Sequence, residues 1–261
     1  MGIFGIVLRA RSRTAEKMAN IQLFKFKKIK ELIREHCPTC YSILKRVKWI
    51  ILDKHLETPK YKFTHIYHTH RFGGTLSASG QGSDLIRTEI IRRKIPILIK
   101  EMNVRVLLDC PCGDFYWLQH SKFDIEKYIG VDIVKKIINI NQQKYGNKYR
   151  KFKCLDISKD ALPKADMILC RDCLVHFSFK DILSTIRNFK RSGSRYILTT
   201  TFSRRLSNID INTGGWRTLN LQLLPFSFPR PIKLIDEKCD QAEGTYSDKS
   251  LGLWRLEDIA I

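Results

Sequence analysis

From residue 104 onward, short apolar runs alternate with helical stripes. Residues 104–109, 128–132, 149–155, 166–170 and 195–200 are rich in Val, Ile, Leu, Tyr and Phe, and each has the length of a buried strand. Between them, Val134, Ile137, Ile138 and Asn141 mark one helix face, and Phe179, Ile182, Leu183, Ile186 and Phe189 mark another. Strands separated by helical segments predict a parallel, doubly wound sheet. Two later β-like runs, 232–236 and 251–256, have no helix-length apolar pattern between them. They predict a hairpin that closes one edge of the sheet.

Upstream the pattern changes. Residues 17–36 lack Gly and Pro and read as a helix. Residues 41–54 place Ile43, Val47 and Ile50 at helical spacing, with Lys45, Arg46, Lys48 and Lys54 between them. Residues 57–83 contain Pro59, a Tyr/His/Phe cluster from Tyr61 to Phe72, and a Gly/Ser loop that ends at Ser83. Ser83 and Asp84 predict the cap of a helix starting near Leu85, which Pro96 should kink or restart. The chain divides into a basic helical extension, residues 1–58, and an α/β domain, residues 59–261.

Composition narrows the classes. The 261 residues are 43% hydrophobic and 28% charged, which excludes disordered, collagen-like and disulfide-dense chains. No apolar run approaches the roughly 18 residues of a membrane-spanning helix. Lys and Arg number 47 against 26 Asp and Glu, a net charge of +21. Residues 1–71 hold 16 of the basic and 5 of the acidic residues, so a partner for the charge belongs there first. Nucleic acid and an anionic membrane surface are the candidates, the latter through peripheral contact of the 41–54 helix. The favoured reading is that this helix covers its own domain with solvated lysines outside. Eight cysteines without a signal peptide predict a cytosolic protein with reduced thiols. Cys37/Cys40 and Cys170/Cys173 are both C-x-x-C pairs, but they lie far apart, so buried thiols are expected and no metal.

The chemistry gathers at the strand ends. Residues 107–117 read LLDCPCGDFYW: a hydrophobic strand ends in Asp109, passes a tight turn and enters a helix. In open α/β sheets, ligands bind beyond the carboxyl ends of the strands. A dinucleotide fingerprint needs G-x-G-x-x-G here, and only Gly113 is present. The second strand ends in Asp132, suited to a ribose diol, and the third in Asp156, suited to an adenine amino group. Each alone reads equally well as a helix cap. Three in order point to a nucleoside without a phosphate cradle.

These motifs resemble a known family. LLDCPCGDF, YIGVDIV, CLDIS and ADMILCRDCLVHFSF fall in the order of class I S-adenosylmethionine (SAM)-dependent methyltransferases. IYHTHRFGG with SASGQGS upstream, TGGWRTLNLQLLPF downstream and YSDKSLGLWRL at the end resemble one bacterial subfamily of such enzymes. The resemblance covers about residues 60–260. It implies a Rossmann-like sheet of seven strands with the last inserted antiparallel, here with a helical N-terminal extension. One departure stands out: Pro111 and Phe115 occupy the outer glycine places of the family's D-x-G-x-G-x-G turn.

The resemblance implies SAM as cofactor. Asp109, Pro111, Gly113 and Asp114 would lie at its methionine end. Asp132, with Ile133, would hold the ribose, and Asp156, with Ile157, the adenine. Cys170 and Arg171, with Asp172, would form the wall beside the sulfonium. Asp172 and His176, four residues apart on an expected helical turn, are the candidate catalytic pair, with His176 as base. Ser79 and Ser83, on a loop ending at a helix N-terminus, would clamp the cofactor carboxylate or an anionic substrate. Trp216 and Arg217 offer a stacking plane and a fork for an acceptor. The acceptor expected is a sugar, a glycan or another small polar molecule, methylated on oxygen. A nucleic-acid methyltransferase is the runner-up, suggested by the charge. Against it, the fourth strand ends in CRDCL and lacks the [DN]-P-P-[FYW] pattern of base amino methylation. A non-catalytic nucleoside-binding module is the third reading.

Overall fold

The computed structural model describes residues 58–74, 76–241 and 243–261. The helices expected at 17–36 and 41–54, and the Cys37/Cys40 pair, lie outside these residues.

The sheet has seven strands: β1 (Val106–Asp109), β2 (Lys127–Asp132), β3 (Arg150–Cys154), β4 (Met167–Cys170), β5 (Tyr196–Phe202), β6 (Lys233–Asp236) and β7 (Lys249–Arg255). Their order is β3-β2-β1-β4-β5-β7-β6. The first five run parallel. β7 enters antiparallel between β5 and β6, with Leu198 opposite Leu253 and Ile235 opposite Leu251. The expected edge hairpin is therefore present, and its second strand is the inner one. The chain order reverses between β1 and β4, the switch point at which a crevice opens beyond the strand ends.

Strand alternation divides the core into two layers. Leu108, Ile168 and Ile197 face one side, together with Ile182, Ile186 and Phe189 of the helix Phe179–Arg191. Leu107, Met167, Leu169 and Leu198 face the other, against Ile91, Ile95, Leu98 and Ile99 of the helix Glu89–Glu101. The inner parallel strands β1, β2, β4 and β5 are buried on both faces, which is why they read as apolar runs, whereas the edge strand β3 buries only Phe152. Among the described residues there are four α-helices: α1 (Pro59–His68), α2 (Glu89–Glu101), α3 (Lys135–Tyr145) and α4 (Phe179–Arg191). Ser178 caps α4 by accepting from the Asp181 amide at 3.2 Å, and Lys190 and Arg191 close it against the dipole.

Three local expectations are corrected. The segment 59–68, read only as an aromatic cluster, is helical; it begins at Pro59, whose missing N–H costs nothing in a first turn. Ser83 and Asp84 do not cap α2, which starts at Glu89 and continues through Pro96 to Glu101. Ser83 instead closes a three-residue 3-10 turn, Gln81–Ser83. No α-helix follows the Asp109 turn; the chain makes only the 3-10 turn Leu118–His120 before β2. Among the described residues no helix is long and apolar enough to cross a membrane.

Candidate active site

A cavity of about 690 Å³ opens beyond the carboxyl ends of β1 to β4. Its size falls within the range of small-molecule sites, about 300–1,000 Å³. It is roofed by α1 and the loop that follows it, and flanked by the segments around residues 214–216 and 241–249.

One half of the cavity is acidic. Asp109, Asp132 and Asp156 all line it, so the three strand ends do converge. Asp109 accepts a 2.6 Å bond from the Tyr128 hydroxyl. Burial, reinforced by the charge of Asp132, pushes its pKa up to about 7 against the pull of that bond. Asp132 accepts from the Val134 amide at 2.9 Å and the Gly113 amide at 3.2 Å. Burial still raises its pKa to about 6, since those amide bonds only partly compensate. Asp156 accepts from the amide and hydroxyl of Ser158 at 3.0 and 2.6 Å, with Lys159 at 3.3 Å. It thus caps the following turn while facing the cavity. Ile133 and Ile157, with Leu155, supply apolar wall between the acids.

The turn after β1 keeps a glycine-like path with few glycines. Gly113 has φ +51, and a Cβ there would come within 2.1 Å of the Ser79 hydroxyl. Phe115, in an outer glycine place, also has a left-handed φ of +59. Its ring is buried among Tyr128, Tyr145 and Phe152, which holds a conformation that a side chain rarely adopts. Pro111 lines the cavity beside it. Asp114 ties this turn to the loop above. Its carboxylate accepts from the Ala78 amide at 2.7 Å and the Ser77 and Ser79 hydroxyls at 3.0 and 3.3 Å. Ser79 and Ser83 both line the cavity, but the only helix they adjoin is the 3-10 turn, which has no useful dipole.

The other half is aromatic and cationic. His176 sits at the end of a 3-10 turn, Leu174–His176, with its ring 4.5 Å from Phe72. Its Nδ1 lies 2.7 Å from the Gly215 carbonyl, an arrangement that requires Nδ1 to carry the proton. Burial lowers the His176 pKa, outweighing the Gly215 bond and the charge of Asp172, so the ring is neutral at pH 7 with Nε2 as its acceptor. Trp216 is 46% exposed at the mouth of the cavity. Its ring meets Tyr246 at 5.0 Å and Phe202 at 6.3 Å.

Several expected roles are not met by the geometry. Asp172 does not share a helical turn with His176; its φ is +51, and the two make no bond. Its carboxylate is held by Lys249 at 2.7 Å and Arg171 at 3.3 Å. Burial would raise its pKa, but those two cations hold it well below the usual carboxylate range. Arg171 lines the cavity while spending its guanidinium on Glu237, through Nε at 3.2 Å and Nη2 at 2.8 Å. Cys170 is fully buried in β4 and does not reach the cavity; its expected companions Arg171 and Asp172 line it, together with Cys173. Arg217 points away from the cavity. Its Nη1 and Nη2 donate to the carbonyls of Leu174 at 2.8 Å and Phe177 at 2.9 Å, and it lies over Phe179. It braces the turn that carries His176. Reading the sequence missed Lys249, Glu237, Tyr246 and Phe72, because each reaches the site from a segment distant in the chain.

No family model and no curated protein matches the sequence. Solved structures do. Human N-acetylserotonin methyltransferase in complex with SAM aligns with a TM-score of 0.52 at 15% identity, over 74% of this chain and 58% of that one. Burkholderia thailandensis 1,6-didemethyltoxoflavin-N1-methyltransferase, with bound 1,6-didemethyltoxoflavin and S-adenosylhomocysteine, aligns with a TM-score of 0.50 at 16% identity, over 75% of this chain and 86% of that one. The fold is that of the class I methyltransferases. The present chain spans little more than half the length of the human enzyme.

Proposed function

We propose that this chain is a SAM-dependent methyltransferase acting on an oxygen of a small polar acceptor such as a sugar. The observation that carries the reading is the convergence of Asp109, Asp132 and Asp156 on one cavity at the switch point of this sheet. The residues present fit the cofactor. Asp132 and Asp156 offer acceptors for hydroxyl and amino donors, and Ile133 and Ile157 offer apolar walls for a base. Two buried acids with raised pKa values also form a place where a cation is welcome. A bound SAM supplies an electrophilic methyl group on a sulfonium.

The chain's own task is alignment and proton removal. With SAM held by Asp132 and Asp156, the methyl group would pass to the acceptor oxygen as its C–S bond broke, the sulfur keeping that electron pair, and the residues of this cavity would hold the oxygen in line. The hydroxyl proton goes to Nε2 of His176, the open acceptor of a neutral imidazole, and from there to water. Asp172, already shared between two cations, is a positioning group and takes no proton. The test is calorimetric titration of SAM into the full chain and Asp132→Ala. The wild type should bind, and the variant should bind about 10- to 100-fold more weakly, the worth of charge-assisted hydrogen bonds. Equal affinity in a folded variant refutes the assignment.

A further inference from the structure

Lys249 is the first residue of β7, and its side chain is 8% exposed at the cavity wall. Its Nζ lies 2.7 Å from Asp172 Oδ2 and 3.6 Å from Glu237 Oε2. Arg171 faces the same two carboxylates from the other side, at 3.3 and 2.8 Å. The four side chains form a quartet of two cations and two anions, so no net charge accumulates in the wall. The two cations are not equivalent. Arg171 makes two bonds to Glu237 and lies over Trp117, 5.5 Å from its ring. Lys249 makes one hydrogen bond among the described residues, to Asp172, and an ammonium has three donors. A lysine is costly to bury without a task or full pairing. Here the quartet supplies most of the pairing and leaves N–H capacity at a wall of the cavity.

The surrounding chemistry is selective. Trp216, Tyr246 and Phe202 form a contiguous aromatic group lining the same cavity, and the Phe72–His176 pair lines it as well. Flat faces suit a flat ring. The acidic groups that repel anions stand at the β1 to β3 ends, while the acid nearest Lys249 is already neutralised by it.

We infer that Lys249 is the acceptor-binding residue of this cavity, and that the acceptor is a small planar ring carrying an anionic oxygen, a carboxylate or an acidic phenol, seated against Trp216 and Tyr246. The inference rests on the methyl-transfer reading for its purpose and narrows the acceptor from a polar molecule in general to a flat anion. The ammonium holds the anionic oxygen and Asp172 holds the ammonium. A ring hydroxyl is then the group presented to His176.

The test compares two probes, 3,4-dihydroxybenzoate and its uncharged methyl ester, by quenching of tryptophan fluorescence in the full chain with S-adenosylhomocysteine present. Trp216→Phe identifies the part of the signal that comes from the cavity. The acid should bind about 10- to 100-fold more tightly than the ester, as expected for one charge-assisted contact. Lys249→Met should bring that ratio to about one. Because this variant leaves two acids facing a single arginine, Lys249→Met/Asp172→Asn restores the charge balance and should show the same lost preference. The inference is overturned if the ester binds as well as the acid, if neither probe quenches Trp216, or if the preference survives in the double variant. Failure of S-adenosylhomocysteine to bind the wild type would refute the cofactor reading separately. The acid–ester comparison without it would still decide the role of Lys249.

Discussion

Replacing Asp109 by asparagine should stabilise the ligand-free protein while weakening its hold on the cofactor. Asp109 is 4% exposed, and its pKa stands at about 7 against an ordinary 3.8, chiefly because burial disfavours the charge. In the unfolded chain this carboxyl is ionised above about pH 4. Between pH 4 and 7 the folded protein binds a proton that the unfolded chain does not, so stability falls as pH rises through that window. Three powers of ten in proton affinity correspond to about 4 kcal/mol, lost in full by pH 7 to 8. Asp109→Asn keeps an amide oxygen for the Tyr128 hydroxyl and carries no charge. Urea denaturation of the ligand-free chain should show a gain of about 2–4 kcal/mol at pH 8, shrinking to about 1 kcal/mol at pH 4.5. Titration with SAM should show weaker binding at pH 8, where the wild-type carboxylate is charged and the amide is not. A variant less stable than wild type at pH 8, or one with the same gain at both pH values, would refute the reasoning.

Two further outcomes follow from the aromatic half. With an acceptor in hand, His176→Ala should lower turnover by about 10²–10⁴-fold with cofactor affinity nearly unchanged. The wild-type rate should rise with pH through a limb below 6.5, where the buried imidazole loses its proton, and the variant's pH profile should lack that limb. Arg217→Met should cost about 2–3 kcal/mol in urea denaturation, because the carbonyls of Leu174 and Phe177 lose charged donors. A fully stable Arg217 variant would mean that this brace contributes nothing.

The sheet was legible because its signal is local. The strands β1, β2, β4 and β5 are buried on both faces and print apolar runs, and the stripe Ile182, Ile186 and Phe189 identifies α4 without outside help. Asp109 and Asp132 were legible for the same reason, since each closes its own apolar run, while Asp156 follows the mostly charged strand β3 and was legible by its order after them. Helix ends were not. A serine and an aspartate before a leucine look like a cap, yet Ser83 and Asp84 serve a 3-10 turn, and α2 begins five residues after Asp84 without a side-chain cap. The α1 helix escaped notice because its ten residues bury only Ile66 and so print no stripe.

The acceptor half resisted reading because nothing local defines it. Trp216 and Arg217 are neighbours on one loop, and sequence chemistry favours both as ligands. Their fates differ through partners that the sequence does not place: Trp216 meets Tyr246, while Arg217 finds two carbonyls of the 174–177 turn. A buried turn with carbonyls in reach is a strong competitor for a guanidinium, and here two of its donors take the carbonyls of Leu174 and Phe177. The same competition decides Asp172. Beside a histidine it reads as half of a catalytic pair, but Lys249 reaches it from 77 residues away and takes its carboxylate. Lysine at the head of an apolar strand is the one visible anomaly in that segment. A charge at such a position must either turn outward or find an acid, and here β7 is an interior strand with β5 on one side and β6 on the other. The acid it finds is therefore inside, at the cavity, and that placement makes a strand residue part of the site.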